Sequence, residues 1–330
     1  MVKNPSRQLL DDRVMRLSVI IPVKNEELHL ATTLPLISQY VPTRHMGRLI
    51  VIDNGSTDGS VAIAKRFDAS VITAPDASLG KMRNLGAQEA SDDILLFLDA
   101  DISLTAAWAN TLPQVLNTLS ANPLTITGSW PEVPTDAGWI ARAWTPKRPK
   151  TGRVPHLGAA HLLVRTDTFR RIGGFDERIS TGEDYDFCVR ARAFGAEVVA
   201  VPDLRVVHRG EPRTLWQFLR RELWHGTGDF TSVRTIVRSY VAIAATVFVS
   251  LHGIMAMSLI MNRVWAPFTF ALSLAGVLTL NTLGALHKTT GHSVKSFVQT
   301  FLLVWVYLWA RFLSGPLALL PGLQRFLRRA

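Results

Sequence analysis

The sequence predicts a mostly parallel, doubly wound α/β sheet followed by an α-helical membrane region. Short apolar runs rich in β-branched residues alternate with helical stretches along the first part of the chain. These runs are continuously apolar rather than alternating with polar residues, as in strands that are covered on both faces. Two long uncharged stretches follow near the C-terminus, and each is long enough to cross a bilayer as a helix.

Four strands are predicted within the first hundred residues, with a helical stretch at about 58–67. The strands are "LSVIIPV" at 17–23, "LIVID" at 49–53, "SVITA" at 70–74 and "DILLFLD" at 93–99. Such βαβ alternation gives parallel neighbours, and ligands bind beyond the carboxyl ends of the strands. Polar residues follow those ends: Lys24, Asn25, Glu26, Asp53, Asn54, Asp99 and Asp101. We therefore expect the functional site at this edge of the sheet.

The fourth predicted strand ends on two carboxylates, Asp99 and Asp101, with one residue between them. In an extended chain, residues i and i+2 point to the same face, so both carboxylates can approach one point. Carboxylate oxygens suit Mg²⁺ or Mn²⁺, and two of them leave positions for phosphate oxygens and water. The spacing predicts a divalent metal that bridges the protein to a diphosphate. The alternative is a loop that carries two solvated aspartates.

The basic excess of the chain lies entirely in its C-terminal part. The formal net charge is +10; residues 1–200 contain 22 basic and 22 acidic residues, and residues 201–330 contain 14 and 4. A basic segment can bind nucleic acid or an anionic membrane. The uncharged stretches 240–261 and 264–285 favour the membrane. We therefore expect membrane lipids, and no nucleic acid, among the partners.

A third apolar stretch, at about 297–323, contains Arg311 and Ser-Gly-Pro at 314–316. It is interpreted as a third span or as an interfacial or re-entrant helix. Basic residues flank the three stretches: Arg234, Arg238, Lys288, Lys295, Arg325, Arg328 and Arg329. Such residues favour the cytoplasmic side, and this preference at the C-terminus conflicts with a third full crossing.

Residues 1–16 are polar and lack the apolar segment of a signal peptide, so we expect an N-terminal extension and a cytoplasmic domain at 17–233. The single Cys188 excludes an internal disulfide and agrees with a reducing compartment. An amphipathic helix at about 214–230 is expected either to lie in the membrane interface or to be a plain linker. The membrane region is expected at 234–330, with two to three transmembrane or re-entrant helices.

Six motifs occur in order and at suitable distances, and together they resemble the family 2 glycosyltransferases. They are "SVIIPVKNEE" (18–27), "VIDNGSTDGS" (51–60), "KMRNLGAQEA" (81–90), "DAD" (99–101), "GGFDE" (173–177) and "GEDYDFCVRAR" (182–192). The resemblance covers about residues 17–230. It implies the GT-A fold and a hexosyltransferase-type enzyme that uses a nucleotide-sugar donor. We expect a multi-pass enzyme of a bacterial inner membrane that takes part in cell envelope glycan biosynthesis.

The resemblance assigns part of the donor site residue by residue. The segment matched by Pro22, Val23 and Glu26 borders the nucleoside in the family, and Asp53 matches the carboxylate that reads the base, typically at a uracil N3–H. The next position is Asn54, where many members have a second Asp, so the identity of the base stays open. A UDP-linked donor is favoured over a GDP-linked one.

Lys81 and Arg83 fall in the segment that approaches the diphosphate, where cationic donors suit the task. The alternative is a solvated basic helix start. Asp99 and Asp101 match the family's metal-binding pair. His208 resembles a third metal ligand of some members, although a lone His after an apolar run is more often structural.

The resemblance places Asp184 at the general base of inverting enzymes, with Glu183 as the rival. A base is needed because an acceptor hydroxyl attacks poorly until its proton leaves. The alternative is a capping cluster, in which Thr181 caps the helix and the Asp184 side chain accepts a reciprocal hydrogen bond from the backbone of Thr181.

The stretch 130–156 is expected to be a loop in which Trp139 and Trp144 stack on sugar or lipid. The expected acceptor is a lipid or a lipid-linked glycan. The rival functions are a processive polysaccharide synthase and a non-catalytic membrane scaffold on a transferase fold.

Overall fold

The computed structural model describes residues 14–144, 151–230, 236–237, 239–260, 264–289 and 293–318. The chain divides into two compact units. The α/β unit is formed by Met1–Pro134 and Pro149–Gly210, and the helical unit by Thr135–Arg148 and Glu211–Ala330. The amphipathic helix, grouped with the first domain on sequence grounds, therefore belongs to the helical unit.

The α/β unit contains ten strands and six helices within the described residues. The strands are β1 Leu17–Val23, β2 Met46–Asp53, β3 Ser70–Thr73, β4 Ile94–Leu98, β5 Ile102–Leu104, β6 Thr125–Gly128, β7 Gly152–Arg153, β8 His161–Arg165, β9 Glu197–Ala200 and β10 Val206–His208. Its helices are α1 Glu27–Tyr40, α2 Ser60–Arg66, α3 Leu79–Glu89, α4 Ala106–Ala121, α6 Thr166–Ile172 and α7 Glu183–Ala193. The four predicted strands are confirmed.

Eight strands form one sheet in the order β3-β2-β1-β4-β8-β6-β9-β7. The first four pair in parallel, as the βαβ pattern predicts. Strand β8 then enters antiparallel between β4 and β6, and β6 pairs in parallel with β9. The carboxyl ends of β1, β2 and β4 therefore meet at one edge, where the polar segments follow.

Apolar side chains of β1 alternate between two cores, one on each face of the sheet. Val19 and Ile21 pack in a core that includes Trp108, whereas Ile20 packs with Phe97 on the other face. Every residue of β1 is buried. Burial on both faces explains why the strand is continuously apolar, and it confirms the doubly wound fold.

A separate two-stranded sheet pairs β5 with β10 in antiparallel register, with His208 opposite Ile102. Thr105, at the end of β5, caps α4 by accepting a hydrogen bond from the backbone N–H of Trp108 at 3.2 Å. Its hydroxyl also donates to the carbonyl of Arg205 at 2.8 Å. These contacts fix the segment after β4 against the segment that carries His208.

The helical unit contains a short helix, an amphipathic helix that continues into a 3₁₀ turn, and three long apolar helices. They are α5 Trp139–Trp144, α8 Leu215–Gly226 with the turn Thr227–Phe230, α9 Tyr240–Ile260, α10 Ala266–Lys288 and α11 Val294–Ala318. Thr214 and Gln217 form a capping box at the start of α8. Helices α9, α10 and most of α11 are each long and apolar enough to cross a membrane.

Large apolar side chains lie on the outside of the long helices. Leu259 and Ile260 at the end of α9 are 75% and 78% exposed, and Trp265 before α10 is 71% exposed. An apolar exterior of this extent marks a surface that contacts lipid or protein rather than water. The structure thus has three candidate membrane helices.

The directions of the three helices can be read from their contacts. Ser258 bonds Thr269 at 2.7 Å, so the end of α9 lies beside the start of α10 and the two run antiparallel. In contrast, Asn281 donates to the carbonyl of Phe301 at 2.9 Å, and a Cβ at Gly284 would lie 2.8 Å from Val304. Residue numbers rise together along this contact, so α10 and α11 run in the same direction where they meet.

Helix α11 continues through Ser314, Gly315 and Pro316 to Ala318 rather than ending at this triplet. The flanking residues Arg234, Arg238, Arg325, Arg328 and Arg329 lie outside the described residues.

The expectation that Trp139 and Trp144 lie in a loop was wrong. Residues 139–144 form helix α5, and Trp144 is buried. Its ring packs against Phe218 and Tyr307 at centroid distances of 4.9 and 5.0 Å. Trp139 is partly buried in the same core. The aromatic residues of this segment therefore hold the helical unit together.

Candidate active site

The two carboxylates after β4 lie on a turn and not on an extended strand. The backbone N–H of Ile102 donates to the carbonyl of Asp99 at 3.1 Å, which closes a turn over residues 99–102. Thr33 of α1 holds this turn by donating to the carbonyl of Ala100 at 2.8 Å. The extended-chain argument for two same-face carboxylates was therefore wrong, because the chain turns between them.

Asp101 pairs with the predicted third ligand. Its Oδ2 lies 2.9 Å from Nε2 of His208, which β10 brings alongside the turn. Burial raises the pKa of Asp101, but the hydrogen bond and charge of His208 outweigh it, so the pKa lies below its ordinary value. A Cβ at Gly210 would overlap the Asp101 carboxylate, so a larger residue there would displace Asp101 from its present position.

Asp99 is held by a different partner, the buried guanidinium of Arg83. Nη2 of Arg83 donates to Asp99 at 2.7 Å, and Nη1 donates to Glu183 at 2.5 Å. Arg83 is only 3% exposed, so it bridges two carboxylates from inside the fold. Its predicted contact with a diphosphate stays a prediction.

Glu183 and Asp184, the two candidate bases, lie in the first turn of α7 and have different surroundings. Burial raises the pKa of Glu183, and the charge of Arg83 opposes that effect. Asp184 is half-buried and accepts backbone N–H bonds from Ala159 at 3.1 Å and from Tyr185 at 2.8 Å. Within the described chain, Asp184 forms no ion pair with a basic side chain.

The predicted cap of α7 was wrong. The helix begins after Gly182, which has a φ of 87° and provides no side-chain cap. This left-handed conformation favours glycine and turns the chain into α7, so Thr181 is not the capping residue.

Asp53, the residue expected to read the base, is buried at the end of β2. Its carboxylate accepts backbone N–H bonds from Gly55 and from Ser56, each at 3.1 Å. The neighbouring Asn54 donates to the carbonyls of Ala74 and Ala77 and accepts from Lys24 at 2.8 Å. The side chain that departs from the family pattern is therefore engaged in holding the loop.

The remaining donor-site residues occupy positions near the same strand ends. Pro22 and Val23 are buried at the end of β1, opposite Ile52 and Asp53. Lys81 is exposed in the first turn of α3, whose start is capped by Ser78 at 3.2 Å. An exposed ammonium beside a helix N-terminus suits an anionic ligand, and the contact of Lys81 with the diphosphate stays a prediction.

Glu26 has a partner that the sequence reasoning missed. Its Oε2 lies 2.6 Å from Nδ1 of His29, one helical turn further along the chain. The hydrogen bond to Glu26 raises the pKa of His29 against the effect of burial, and the negative charge of Asp101 adds to the rise. The spacing i, i+3 in the first turn of a helix was the available signal for this pair.

The donors around Asp101 suit a divalent cation. In the parts of the chain that the structure describes, no group of three His, Cys, Asp or Glu side chains could hold a metal by itself. Two ligands at right angles on an octahedral ion lie roughly 3 Å apart, given bonds of about 2.1 Å. The 2.9 Å between Asp101 and His208 fits that spacing. A cation here would still need further ligands, such as Asp99, phosphate oxygens or water.

The sheet topology and the segments after its strands define a GT-A fold. In a comparison with solved structures, the mannosyltransferase PcManGT from Pyrobaculum calidifontis, in complex with GDP-Man and Mn²⁺, is similar over 92% of this chain and 88% of that chain, with a TM-score of 0.57 and 19% identity. GalNAc-T7 with UDP, GalNAc and Mn²⁺ is similar over 66% of this chain and 51% of that chain, with a TM-score of 0.50 and 17% identity. These likenesses show the fold.

Two family models match the sequence: glycosyl transferase family 2 over residues 18–175, and glycosyl transferase family group 2 over residues 151–319. Glycosyltransferase AglE of Haloferax volcanii is 27% identical over 224 residues, which cover 64% of this chain and 72% of that protein. The pre-mycofactocin glycosyltransferase of Mycobacterium tuberculosis is 26% identical over 231 residues, 66% of this chain and 47% of that protein. The chain belongs to glycosyltransferase family 2, and it is a glycosyltransferase with candidate membrane helices at its C-terminal end.

Proposed function

We propose that this enzyme is a membrane-anchored, inverting glycosyltransferase that moves a sugar from a nucleoside diphosphate sugar to a lipid or a lipid-linked glycan. The observation that carries the proposal is the grouping of charged residues around residues 99–101. The Asp101–His208 pair and the Asp99–Arg83–Glu183 bridge both start from this turn. The first offers donors for a cation and diphosphate, and the second leads to the carboxylates of α7.

Asp184 is the proposed base. The acceptor hydroxyl forms a bond to the anomeric carbon while the bond from that carbon to the diphosphate oxygen breaks, and the hydroxyl proton goes to the base. Glu183 is buried and bonded to Arg83, whereas Asp184 is half-buried and has backbone partners only among the described residues. Because Arg83 already occupies the Glu183 carboxylate, Asp184 is favoured as the group that contacts the acceptor hydroxyl.

Asp101 and His208, with Asp99 nearby in sequence, would hold Mg²⁺ or Mn²⁺. When bound, such an ion supplies positive charge that stabilises the departing diphosphate. Lys81 would supply further positive charge at the phosphates. The protein's own contribution is to keep the Asp101 carboxylate ionised beside His208.

The donor is expected to be UDP-linked, with Asp53 as the residue that reads the base. The similar structures include one that holds GDP-Man and one that holds UDP. Calorimetry of the binding of UDP, GDP, CDP and dTDP in the presence of Mn²⁺ decides which base the enzyme prefers. A preference for GDP would overturn the uridine expectation without touching the transfer reaction.

The acceptor is proposed to be lipid-borne because the chain carries three apolar helices of span length. A transferase that resides in the bilayer meets lipid-linked acceptors there. The α/β unit is proposed to lie on the cytoplasmic side, where nucleotide sugars occur and where Lys288, at the end of α10, is favoured.

We propose that α9 and α10 form a transmembrane hairpin and that α11 does not complete a third crossing. Because Asn281 lies beside Phe301 and Gly284 beside Val304, parallel contacts place Val294 level with about residue 274 of α10, about 21 Å back from Lys288 at ~1.5 Å per residue. Six residue steps reach at most roughly 22 Å, whereas a bilayer core is ~30 Å thick. An oblique or interfacial α11 satisfies both limits. A cysteine added after Ala330 should then react with an impermeant maleimide from the same side as the α/β unit.

Transfer of radiolabelled sugar by the full-length enzyme, in extracted membranes with each candidate donor, tests the function. We expect one sugar to be added to a lipid-soluble acceptor in the presence of Mg²⁺ or Mn²⁺. Chelation by EDTA should remove activity to background, and Asp101→Asn should do similar damage without loss of folding. Undiminished transfer by Asp101→Asn in chelator would contradict the metal role.

The same assay separates the rival functions. A processive synthase would yield a polymer, and a non-catalytic scaffold would yield no labelled product with any donor. Nothing in the described residues favours either rival over single transfer.

A further inference from the structure

Lys288 ends helix α10 and lies among aromatic rings of the helical unit. Its ammonium is 3.8 Å from the ring centroid of Trp144 and 5.7 Å from that of Tyr307. The side chain is half-buried. The guanidinium of Arg311 also lies over the ring of Tyr307, 4.8 Å from its centroid. Two cations therefore share one tyrosine.

The nearby carboxylates are already bonded to arginines. Glu222 accepts from Arg311 at 3.1 Å and lies 3.5 Å from Arg221. Glu211 accepts from Arg221 at 2.6 Å. Two carboxylates thus serve two arginines, and the charge of Lys288 is left over. Across the described residues, the ammonium of Lys288 has no hydrogen-bond acceptor and no ion pair.

Aromatic rings alone compensate such a cation poorly. A cation–π contact is worth about 0.5–2 kcal/mol, while an ammonium has three N–H donors that lose water when the side chain is withdrawn from solvent. A negatively charged oxygen ligand would satisfy both the charge and the donors. The surroundings of the Lys288 ammonium therefore have the chemistry of an anion site.

The position of Lys288 along its helix indicates which anion is available. Lys288 ends an apolar helix of span length, and Trp144 and Tyr307 lie beside it. Trp, Tyr and the ends of Lys side chains are found at the level of the lipid headgroups. Phosphatidylglycerol and phosphorylated isoprenoids present at this level a phosphate whose charge no headgroup cation balances, unlike the phosphate of phosphatidylcholine.

We propose that Lys288, with Trp144 and Tyr307, forms a binding site for the phosphate group of a membrane lipid. Arg311, on the other contact of Tyr307, adds positive charge to the site. This site is separate from the residues proposed for sugar transfer, so it holds whether or not the transfer assay succeeds. It gives the helical unit a specific lipid ligand in addition to a general apolar surface.

The test uses the full-length protein in a nonionic detergent and measures the rise in its thermal midpoint with added ligand. The ligands are dioctanoyl phosphatidylglycerol, a prenyl phosphate, dioctanoyl phosphatidylcholine and inorganic phosphate. We expect one of the two anionic lipids to bind well ahead of phosphatidylcholine, and the tighter one identifies the source of the phosphate. Equal binding of inorganic phosphate would contradict a lipid site.

Lys288→Gln should weaken binding of that lipid about tenfold or more, as expected for the loss of a charged hydrogen-bond donor. Lys288→Arg keeps the charge and should stay close to wild type. Lys295→Gln is the matched control, because Lys295 is exposed in the first turn of α11. Equal lipid binding by Lys288→Gln and Lys295→Gln would overturn the proposal.

Native mass spectrometry of the wild-type protein gives a second measurement that does not depend on the folding of a variant. We expect one anionic lipid to be retained at concentrations where phosphatidylcholine is lost. Retention without preference between the two lipids would contradict the site.

Discussion

Arg83 in the α/β unit and Lys288 in the helical unit are both basic side chains withdrawn from water, and they are compensated differently. Arg83 is almost fully buried and donates to two carboxylates, Asp99 and Glu183. Lys288 is half-buried and contacts two aromatic rings but no carboxylate within the described residues. Arg83 therefore holds acidic residues in place, whereas Lys288 has no carboxylate partner and is proposed to bind a lipid phosphate.

The comparison also distinguishes the two carboxylates at the start of α7. Glu183 belongs to the compensated network of Arg83, whereas Asp184 is bonded by backbone N–H groups. Arg83 occupies an oxygen of the Glu183 carboxylate, whereas no basic side chain in the described residues pairs with Asp184. Substitutions in this first turn of α7 therefore test which of the two carboxylates is the base.

Asp184→Asn is expected to have the largest effect. The substitution keeps the size of the side chain and removes its basicity, and loss of a general base typically costs about 10²–10⁴ in rate. Nucleotide binding with Mn²⁺ should be unchanged, because the residues proposed for the cation and diphosphate are intact. Single-turnover transfer and calorimetry with the nucleoside diphosphate measure the two properties.

Asp186→Asn is the matched control for Asp184→Asn. Asp186 lies in the same turn of α7 and bonds Arg190 at 2.8 Å, so its loss should leave the rate within a few fold of wild type. Near wild-type turnover by Asp184→Asn, together with an inactive Glu183→Gln that binds nucleotide, would assign the base to Glu183.

Local patterns in the sequence were sufficient for the framework of both units. Continuous apolar runs predicted β1 to β4 because both faces of the sheet are covered, and uncharged stretches of span length predicted α9 and α10. The directions in which the three long apolar helices pack could not be predicted in this way, since direction depends on contacts such as Asn281 with Phe301. No pattern within a single helix encodes such a contact.

The candidate site was less accessible to sequence reasoning. Asp101 meets His208 only because β5 pairs with β10, and the two strands are about a hundred residues apart in the chain. A hydroxyl from α1 bonds the turn at 99–102. The spacing of Asp99 and Asp101 alone did not reveal this turn, so it led to the wrong expectation of an extended chain. The contact of Arg83 with the diphosphate stays a prediction, and local spacing does not reveal that its charge is shared by the buried Glu183 and the half-buried Asp99.

Arg83→Met tests whether the buried ion pairs of Arg83 stabilise the fold. It leaves the buried carboxylate of Glu183 without its cation, and breaking a buried ion pair in this way costs about 3–5 kcal/mol of unfolding free energy. Lys288→Met should cost less in detergent without lipid, because no carboxylate loses its partner and only ring contacts worth about 0.5–2 kcal/mol are removed. Thermal and urea unfolding of the full-length variants measure the difference.

Two further variants make the Arg83 test specific. Arg178 bonds Asp176 at 2.8 Å on the surface and is 89% exposed, so Arg178→Met should cause no measurable change. Adding Glu183→Gln to Arg83→Met should recover part of the lost stability, since the uncompensated charge is removed. A variant Arg83→Met as stable as wild type would show that the bridge does not hold the carboxylates.

His161 provides the smallest predicted effect and extends the comparison to a buried group that is kept neutral. It lies at the start of β8, where Trp108 Nε1 donates to its Nε2 at 2.9 Å and Ser129 Oγ lies 3.0 Å from its Nδ1. Burial lowers the pKa of His161 to about 3, from an ordinary value of 6.5, because no carboxylate compensates the protonated ring. The fold therefore retains the neutral form, unlike the charged Arg83.

The pH dependence follows from that lowered pKa. Below pH 6.5 the unfolded chain takes up a proton at His161 and the folded chain does not, so stability is present above this pH and is lost as the pH falls toward 3. Between pH 7 and pH 5 the loss is about 2 kcal/mol, at 1.36 kcal/mol per pH unit below 6.5. His161→Gln keeps an acceptor for Trp108 but does not titrate, so its unfolding free energy should fall less over this range. Parallel pH profiles for the variant and the wild type would mean that His161 is protonated in the folded enzyme, and that the interior beside Trp108 accommodates its charge.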